Sequence, residues 1–574
     1  MFAPNWIAAS AGAISLKTPT CLLLTPDGKF DKFGYEAEDK YADLALENQH
    51  TDYYFFRRFK MKLHRNPSLN RETQIEEEGG KTLPARTVFA HGINFLKDHA
   101  LDKLRLQGTQ CEDWEVRWVL TVPAIWSEAA KQFMREAAQK ADLTNDQLTI
   151  ALEPEAASVY CRTVPNAMGD NTFEPGSKYM VVDLGAQNRY FRKSETEGIQ
   201  NQDKTETKAN KQNTYNTVTL CSIGGTADIT VHEVQENGAL RELHKASGGA
   251  WGGTRVDSAL EQLFIDIVEE DVWSKFKKRH GGDYFELFRD FEVKKRTVKM
   301  DDDKKLTNMK LPLSLKDLYE EMKPGEKFKD AVEDNEMYSG RLKLLGDKMR
   351  VDQQLMKGLF RDPIDKLTDH MRQILTLPCL RKKPSILLVG GFSESPIVQE
   401  TIRENFPTCT VIVPNEAGLS VLKGAVLFGH RPKTIASRVL KYTYGIAVSK
   451  PFIEGHHPPE KRCESTYGAI CRDVFHKYVE AGESVGLDES QSVSFTMAQG
   501  ACMSRVRVYT SADRDPMFVT DEGCTLLGEV TISLDNPSMS TNKVNVGLTF
   551  GGTEVSLQAN TSGRTFGANF DFLS

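Results

Sequence analysis

Asp183 and Asp228 bracket the stretch of this chain best suited to chemistry. Asp183 closes the apolar run Tyr179-Met180-Val181-Val182 and leads into Leu184-Gly185; Gly224-Gly225-Thr226-Ala227-Asp228 leads into Ile229-Thr230-Val231-His232-Glu233-Val234. Joined across the residues between them, the two ends spell Asp-Leu-Gly-Gly-Gly-Thr-Ala-Asp. Consecutive glycines take positive φ and let backbone N–H groups press against phosphate oxygens, while an acidic residue at each end can hold a hydrated cation. The pattern predicts a phosphate hairpin. An ordinary glycine turn between two strands is the competing reading of the same residues.

Two further glycine pairs bear on that choice. Gly248-Gly249 precedes Ala250-Trp251-Gly252-Gly253, and Gly390-Gly391 follows the apolar run Ser385-Ile386-Leu387-Leu388-Val389. Three glycine turns at the carboxyl ends of strands predict a nucleotide cleft between two lobes. The chain has no GxxxxGK[ST] and no GxGxxG, which speaks against a P-loop NTPase and a dinucleotide fold, and it has no GxSxG or HExxH.

The elements that must carry these residues alternate in type. Apolar positions from Arg86 to Gly108 recur at helical spacing; Val116 to Val122 reads as a strand closed by Pro123; Ser127 caps a helix through Ala141. Gln147 to Leu152 is a strand entering a helix at Glu153-Pro154-Glu155, so the pattern is α/β with a largely parallel sheet. Cys21 to Leu24 turns at Pro26-Asp27-Gly28-Lys29 into a hairpin. The aromatic and basic block from Tyr53 to Lys60 reads as a core edge with snorkelling arms. Residues 186–223, rich in Lys, Gln, Asn, Thr and Glu, read as a flexible insertion. Amphipathic helices are expected to about Leu377, and from about Leu440 short alternating runs with glycine turns predict a β-sandwich-like domain.

Composition narrows the partners. A net charge of −7 offers no basic footprint for nucleic acid, and 40% hydrophobic with 27% charged residues supports several packed cores. The ten cysteines contain no CxxC pair, so they read as reduced thiols rather than zinc ligands or a disulfide framework. No run reaches membrane-spanning length and no secretory signal is evident, which predicts a cytoplasmic protein without membrane insertion.

The order of motifs is specific. Val119-Leu120-Thr121-Val122-Pro123-Ala124, Glu153-Pro154-Glu155-Ala156-Ala157, the interrupted Asp183-Leu184-Gly185 and Gly224-Gly225-Thr226-Ala227-Asp228, Glu292-Val293-Lys294-Lys295-Arg296-Thr297 and Leu387-Leu388-Val389-Gly390-Gly391 follow one another as in the seventy-kilodalton heat-shock chaperones. Ser15-Leu16-Lys17-Thr18-Pro19-Thr20, the run from Phe33 to Tyr41 and that from Lys423 to Gly429 resemble the divergent member-12 subfamily.

This resemblance implies an actin-like ATPase fold, two lobes around a nucleotide cleft holding ATP or ADP with magnesium, followed by the smaller β-sandwich-like domain. Residues 1–178 would form the first lobe, 179–435 the second lobe and the return to the first, and 436–574 the β-rich domain, without a helical lid. It implies Asp183 and Asp228 on hydrated magnesium, with Gly185, Gly224, Gly225 and Thr226 along the phosphates and Glu153 positioning water. Glu292, Lys295 and Arg296 would border the adenosine, with Gly248, Gly249, Gly390 and Gly391 giving close backbone approach and Arg57 or Arg58 standing for the family's catalytic lysine. The family's first Asp-x-Gly-Thr-Thr hairpin is missing here, and the insertion is expected to obstruct the phosphate site or move its glycines. Gly185 joins Gly224 so cleanly that the insertion also reads as a gene-model or splicing remnant. The expected activity is ATP binding with weakened hydrolysis in a chaperone-like stress-response protein with protein clients or signalling partners. The alternative is a nucleotide-independent scaffold, and an actin-like sugar kinase is disfavoured by the β-rich domain.

Overall fold

In the computed structural model, the structure describes residues 6–8, 13–15, 17–64, 66–109, 112–164, 172–185, 216–221, 225–301, 306–338, 340–382, 384–465, 468–487, 489–496, 503–533, 543–561, 564–568 and 572–573. It is a mixed α/β protein with several sheets, compatible with a two-lobed actin-like arrangement.

The largest sheet has seven strands, in the order Val411–Ile412, Ser385–Val389, Lys178–Leu184, Ala227–Val234, Leu240–Gly249, Ile435–Val439 and Ser484–Gly486. Its central strands are apolar on both faces because both faces are covered. Met180, Val182, Leu184, Ala227, Ile229 and Val231 share a core with helix Thr254–Val268. Tyr179, Val181, Leu387 and Val389 pack on the other side with Ala156, Ala157 and Phe428 of helices Glu153–Cys161 and Ser420–His430. Full burial of each such aliphatic side chain contributes roughly 1.5–3 kcal/mol. The two helices meet closely because Gly424 has no Cβ; one built there would run into the carbonyl of Ala156.

A second, parallel sheet is ordered Asn216–Cys221, Val116–Val122, Leu148–Leu152. Val116, Trp118, Leu120 and Ile150 join Leu22, Leu24, Phe33 and Phe56 of the antiparallel set Phe30–Phe33, Cys21–Leu24 and Tyr54–Arg57 in one core with helices Ala85–Leu106 and Glu128–Lys140. Ser127 caps the latter helix as its sequence predicts, its hydroxyl accepting from Ala130 N at 3.2 Å.

Three expectations change. Within 186–223, read as a flexible insertion, residues Asn216–Cys221 form a strand that runs parallel to Val116–Val122 in a six-residue register from Asn216 with Val116 to Cys221 with Thr121. The rest of that segment lies outside the described residues. The stretch expected to hold only helices before Leu377 contains a three-stranded antiparallel sheet, Leu306–Lys310, Lys348–Asp352 and Leu342–Leu345. Ile435–Val439, placed at the junction of two domains, joins the seven-stranded sheet beside Leu240 and Arg241 and carries Ser484–Gly486 with it.

The strands after that junction lie in two antiparallel sheets. One is ordered Arg462–Ser465, Gly468–Val479, Thr443–Pro451, Met503–Ser511 and Cys524–Ser533; the other Ser490–Thr496, Lys543–Thr549, Ser556–Thr561 and Arg564–Ala568. Ile446, Val506, Val508 and Val530 of the first share a core with Val544, Val546 and Leu548 of the second, as alternating strands facing one another require. This region is tied to the rest by Arg438, whose guanidinium makes two bonds to buried Glu155, at 2.7 and 2.8 Å, and donates to the carbonyl of Gly551. Arg135 to Glu554 adds a second tie. No helix among the described residues is long and apolar enough to cross a membrane.

Candidate functional site

The antiparallel ladder between Lys178–Leu184 and Ala227–Val234 puts Asp183 directly opposite Asp228. Both carboxylates are buried, and both are charged groups in a place where charge is expensive. Burial, reinforced by Glu153, pushes the Asp183 carboxyl up to about 7, against the pull of Lys17 and Lys60. Asp228 is raised well above the ordinary carboxylate range by burial, then by Glu153 and Asp183, although it accepts from Ile125 N at 3.0 Å and from the Thr226 hydroxyl at 3.2 Å. The Ile125 bond ties Asp228 to the segment just after strand Val116–Val122.

Glu153 enters from the corner where strand Leu148–Leu152 becomes helix Glu153–Cys161. Its carboxylate accepts from the Lys60 ammonium at 2.6 Å, and both side chains are buried. This corrects the expectation for Arg57 and Arg58, because the cation facing Glu153 is Lys60, carried by the short 3-10 turn Phe59–Leu63. The run of four cations around Phe59 hid which of them turns inward. Lys60 also lies 5.5 Å from the Trp126 ring centroid, so an aromatic face helps hold the ammonium.

The glycines stay together despite the interruption. Gly185 N donates to Thr226 O at 2.9 Å, which continues the hairpin ladder up to the break. Gly252 N donates to Gly225 O and Gly253 N to Gly185 O, each at 3.0 Å. A Cβ on Gly252 would come within 2.6 Å of Gly185 O and Gly225 O, so only glycine permits this layer. The described glycines are hydrogen-bonded to one another; Gly224 lies outside the described residues. The backbone N–H groups of Gly185, Gly252 and Gly253 are consumed in these bonds.

The pair that touches the hairpin tip is Gly252-Gly253, which sequence reasoning passed over in favour of Gly248-Gly249. Gly248 and Gly249 end strand Leu240–Gly249 instead, opposite Asp228 and Ala227. Gly390, with φ +84°, lies against Leu184 O and the Asp183 carboxylate so closely that a Cβ would displace them. Gly391 opens the 3-10 turn Phe392–Glu394.

Helix Thr254–Val268 starts immediately after Gly253 and carries Asp257 towards the outer end of the cleft. There Lys295 Nζ donates to Asp257 at 2.6 Å and also contacts Glu292, while Arg296 donates to Glu292 at 2.6 Å. Burial works to lower the Lys295 ammonium, but Asp257 and Glu292 raise it above its ordinary range. Arg58 reaches Asp257 at 3.4 Å from the first lobe, and Arg289 of helix Gly281–Lys295 pairs with Glu38 at 3.0 Å and Asp39 at 2.8 Å on helix Tyr35–Leu46. Arg57 stacks over Phe285 at 4.5 Å. Of the expected adenosine-bordering residues, Glu292 lines a cavity of about 30 Å³ together with Arg57, Arg58, Asp257 and Phe288 among others, while Lys295 and Arg296 pair with Glu292. That volume suits water rather than a purine.

Chemically, the inner end offers three carboxylates, acted on by the ammonium groups of Lys60 and Lys17. No group of three or more His, Cys, Asp or Glu side chains among the described residues is arranged to ligate a metal directly. The opposed Asp183 and Asp228, with carboxyls raised by burial and by Glu153, fit a hydrated cation held through its water shell.

No protein-family model matches the chain. It is 36% identical over 604 residues to human heat shock 70 kDa protein 12B, covering 99% of this chain and 87% of that protein. Human heat shock 70 kDa protein 12A is 35% identical over 581 residues, with 97% and 85% covered, and its mouse counterpart 34% over 598 residues, with 99% and 87% covered.

Proposed function

Since the chain belongs to the heat-shock 70 family, in its member-12 subfamily, we propose that it binds ATP with magnesium in the cleft between Asp228 and Glu292 and acts as a chaperone-like protein with weak hydrolysis. The observation that carries this reading is the inner cluster, in which Asp183 faces Asp228 across the hairpin and Lys60 holds Glu153 at 2.6 Å beside them. In this reading Asp183 and Asp228 orient the water shell of the ion, and bound magnesium would supply the positive charge that the β- and γ-phosphates need. Glu153, fixed by Lys60, orients the attacking water, and Thr226 places its hydroxyl at the phosphate edge. Such catalysis is positioning and electrostatics, so it depends on the set remaining assembled. The engaged amides of Gly185, Gly252 and Gly253 are the reason hydrolysis is read as weak. The two sheets after the junction strand are read as a β-sandwich-like domain for protein clients.

A binder of the native state raises its stability by about 2.7 kcal/mol at a hundredfold excess over Kd. Magnesium-ATP at millimolar concentration is therefore expected to raise the melting temperature, and an unchanged melting curve defeats the proposal. The outer cavity of about 30 Å³ favours a second reading, a nucleotide-independent scaffold in which the lobes stay closed. Under that reading, proteins co-purified with the chain are the same with and without ATP.

A further inference from the structure

Two consecutive residues of the β-rich region belong to two different cores. Phe572 packs against the core between the two antiparallel sheets. Leu573, its neighbour, is 2% exposed and lies in the core that helix Glu128–Lys140 shares with strands Val116–Val122 and Leu148–Leu152. The pair therefore spans the boundary between the β-rich region and the rest of the chain.

The backbone of this segment is recognised as well as its side chains. Phe572 N donates to Gln132 Oε1 at 2.8 Å. The Gln132 amide is oriented for that bond: its Nε2 donates to Glu136 at 2.9 Å, and Glu136 is fixed in turn by Arg71 at 2.6 Å and Arg86 at 3.1 Å. With its NH2 end committed to a carboxylate, the amide turns its oxygen towards the Phe572 N–H. Arg135, three residues on and on the same side of the helix, makes two bonds to Glu554 at 2.8 and 2.5 Å. One helix face thus offers an oriented acceptor, a guanidinium and a place for a buried leucine. The Arg135–Glu554 pair is partly exposed and contributes little by itself, so the leucine is the anchor.

We propose that Phe572-Leu573 is a releasable clasp, an intramolecular ligand of helix Glu128–Lys140 that keeps the β-rich region closed on the rest of the chain. Release withdraws Leu573 from its core and leaves an apolar slot beside Gln132; the Arg438 bond to Gly551, made from the junction strand, is untouched by it. A tethered ligand acts at a high effective concentration, so in the closed chain a free copy of the segment competes poorly for the slot. The clasp shares no residue with the cluster of Asp183 and Asp228, so the proposal does not rest on nucleotide binding.

The test uses the full chain and a fluorescein-labelled peptide, Asn-Phe-Asp-Phe-Leu-Ser, that copies residues 569–574, followed by anisotropy. The peptide is expected to bind saturably to the Leu573→Asp chain and more weakly to the parent by about tenfold, or about 1.4 kcal/mol. Adding Gln132→Leu to Leu573→Asp should weaken the peptide by a similar factor. Trypsin cleavage between residues 543 and 568, which follows the open population, should be about tenfold faster in Leu573→Asp than in the parent. Leu573→Ala introduces no charge and should move both readouts in the same direction by less; it decides the matter if Leu573→Asp loses its circular dichroism. The proposal is overturned by equal peptide affinity for parent and folded variant, by no saturation at low millimolar peptide, by Gln132→Leu leaving the affinity unchanged, or by an unchanged cleavage rate.

Discussion

The two charge clusters, the outer one around Asp257 and Glu292 and the inner one around Asp183 and Asp228, balance charge differently. At the outer end Asp257 and Glu292 face Lys295, Arg296 and Arg58, and Arg289 satisfies Glu38 and Asp39, so every carboxylate there has a cation within ion-pair distance. At the inner end Asp183, Asp228 and Glu153 share the buried ammonium of Lys60, which is committed to Glu153. The outer end has solved its electrostatics with the chain's own residues and ties helix Tyr35–Leu46 to helix Gly281–Lys295 in doing so. The inner end holds buried carboxyls whose charged forms are disfavoured by burial and by one another, an arrangement that is costly to ionise until a cation arrives. Ligand chemistry belongs where the protein is left electrostatically incomplete.

Removing the buried cation paired with Glu153 is the harshest challenge to that contrast. Lys60→Met leaves Glu153 buried without its partner, and breaking a buried pair in this way typically costs roughly 3–5 kcal/mol. The urea midpoint at neutral pH reads the loss. A loss near the level of a surface substitution would mean that Glu153 reaches water and that the inner end is not short of positive charge.

The raised carboxyls make a pH signature. Asp183 titrates in the folded chain near 7 and in the unfolded chain near its ordinary value, so between those limits the native state binds the extra proton. Its contribution is therefore fully present at low pH and is lost as pH rises through about 7; Asp228, raised in the same direction, adds to the slope. Without divalent cations, stability of the parent chain is expected to fall between pH 5 and 8 by an amount on the order of a few kcal/mol, since each tenfold difference in proton affinity between the folded and unfolded chain is worth about 1.4 kcal/mol. Asp183→Asn should flatten part of that fall and be the more stable chain at pH 8, as followed by thermal melts across the series. Magnesium should recover stability in the parent and less in the variant. Parallel pH profiles for the two chains would remove Asp183 from the inner set of raised carboxyls.

What could be read from the sequence follows the same division. The strands Lys178–Leu184 and Ala227–Val234 were legible because burial on both faces writes a continuous apolar run, and the joined Asp-Leu-Gly and Gly-Gly-Thr-Ala-Asp fixed the register that opposes Asp183 to Asp228. Lys60 was not legible, because four cations crowd around Phe59 and only the turn Phe59–Leu63 decides which one points inward. Gly252 lost to Gly248 because both pairs follow the same strand, and the difference lies in a tertiary contact, the approach to Gly185 and Gly225. Strand Asn216–Cys221 sits in a compositionally polar segment whose pairing with Val116–Val122 is long-range, which no local propensity reports. The outer cluster was visible residue by residue as Glu292, Lys295 and Arg296, but its partners Asp257 and Arg58 come from distant parts of the chain.

The gentlest perturbation tests the outer half of the contrast. Arg296 is one quarter exposed and pairs with a Glu292 that also contacts Lys295, so Arg296→Ala removes a shared partner and leaves no buried carboxylate alone. Partly exposed pairs of this kind are worth about 0.2–1 kcal/mol, and the urea midpoint of the variant should move by no more than that. The reason is redundancy: Lys295, buried between Asp257 and Glu292, continues to neutralise both. A cost for Arg296→Ala as large as that for Lys60→Met would show that the outer end, too, depends on a single cation, and the asymmetry between the two ends would disappear.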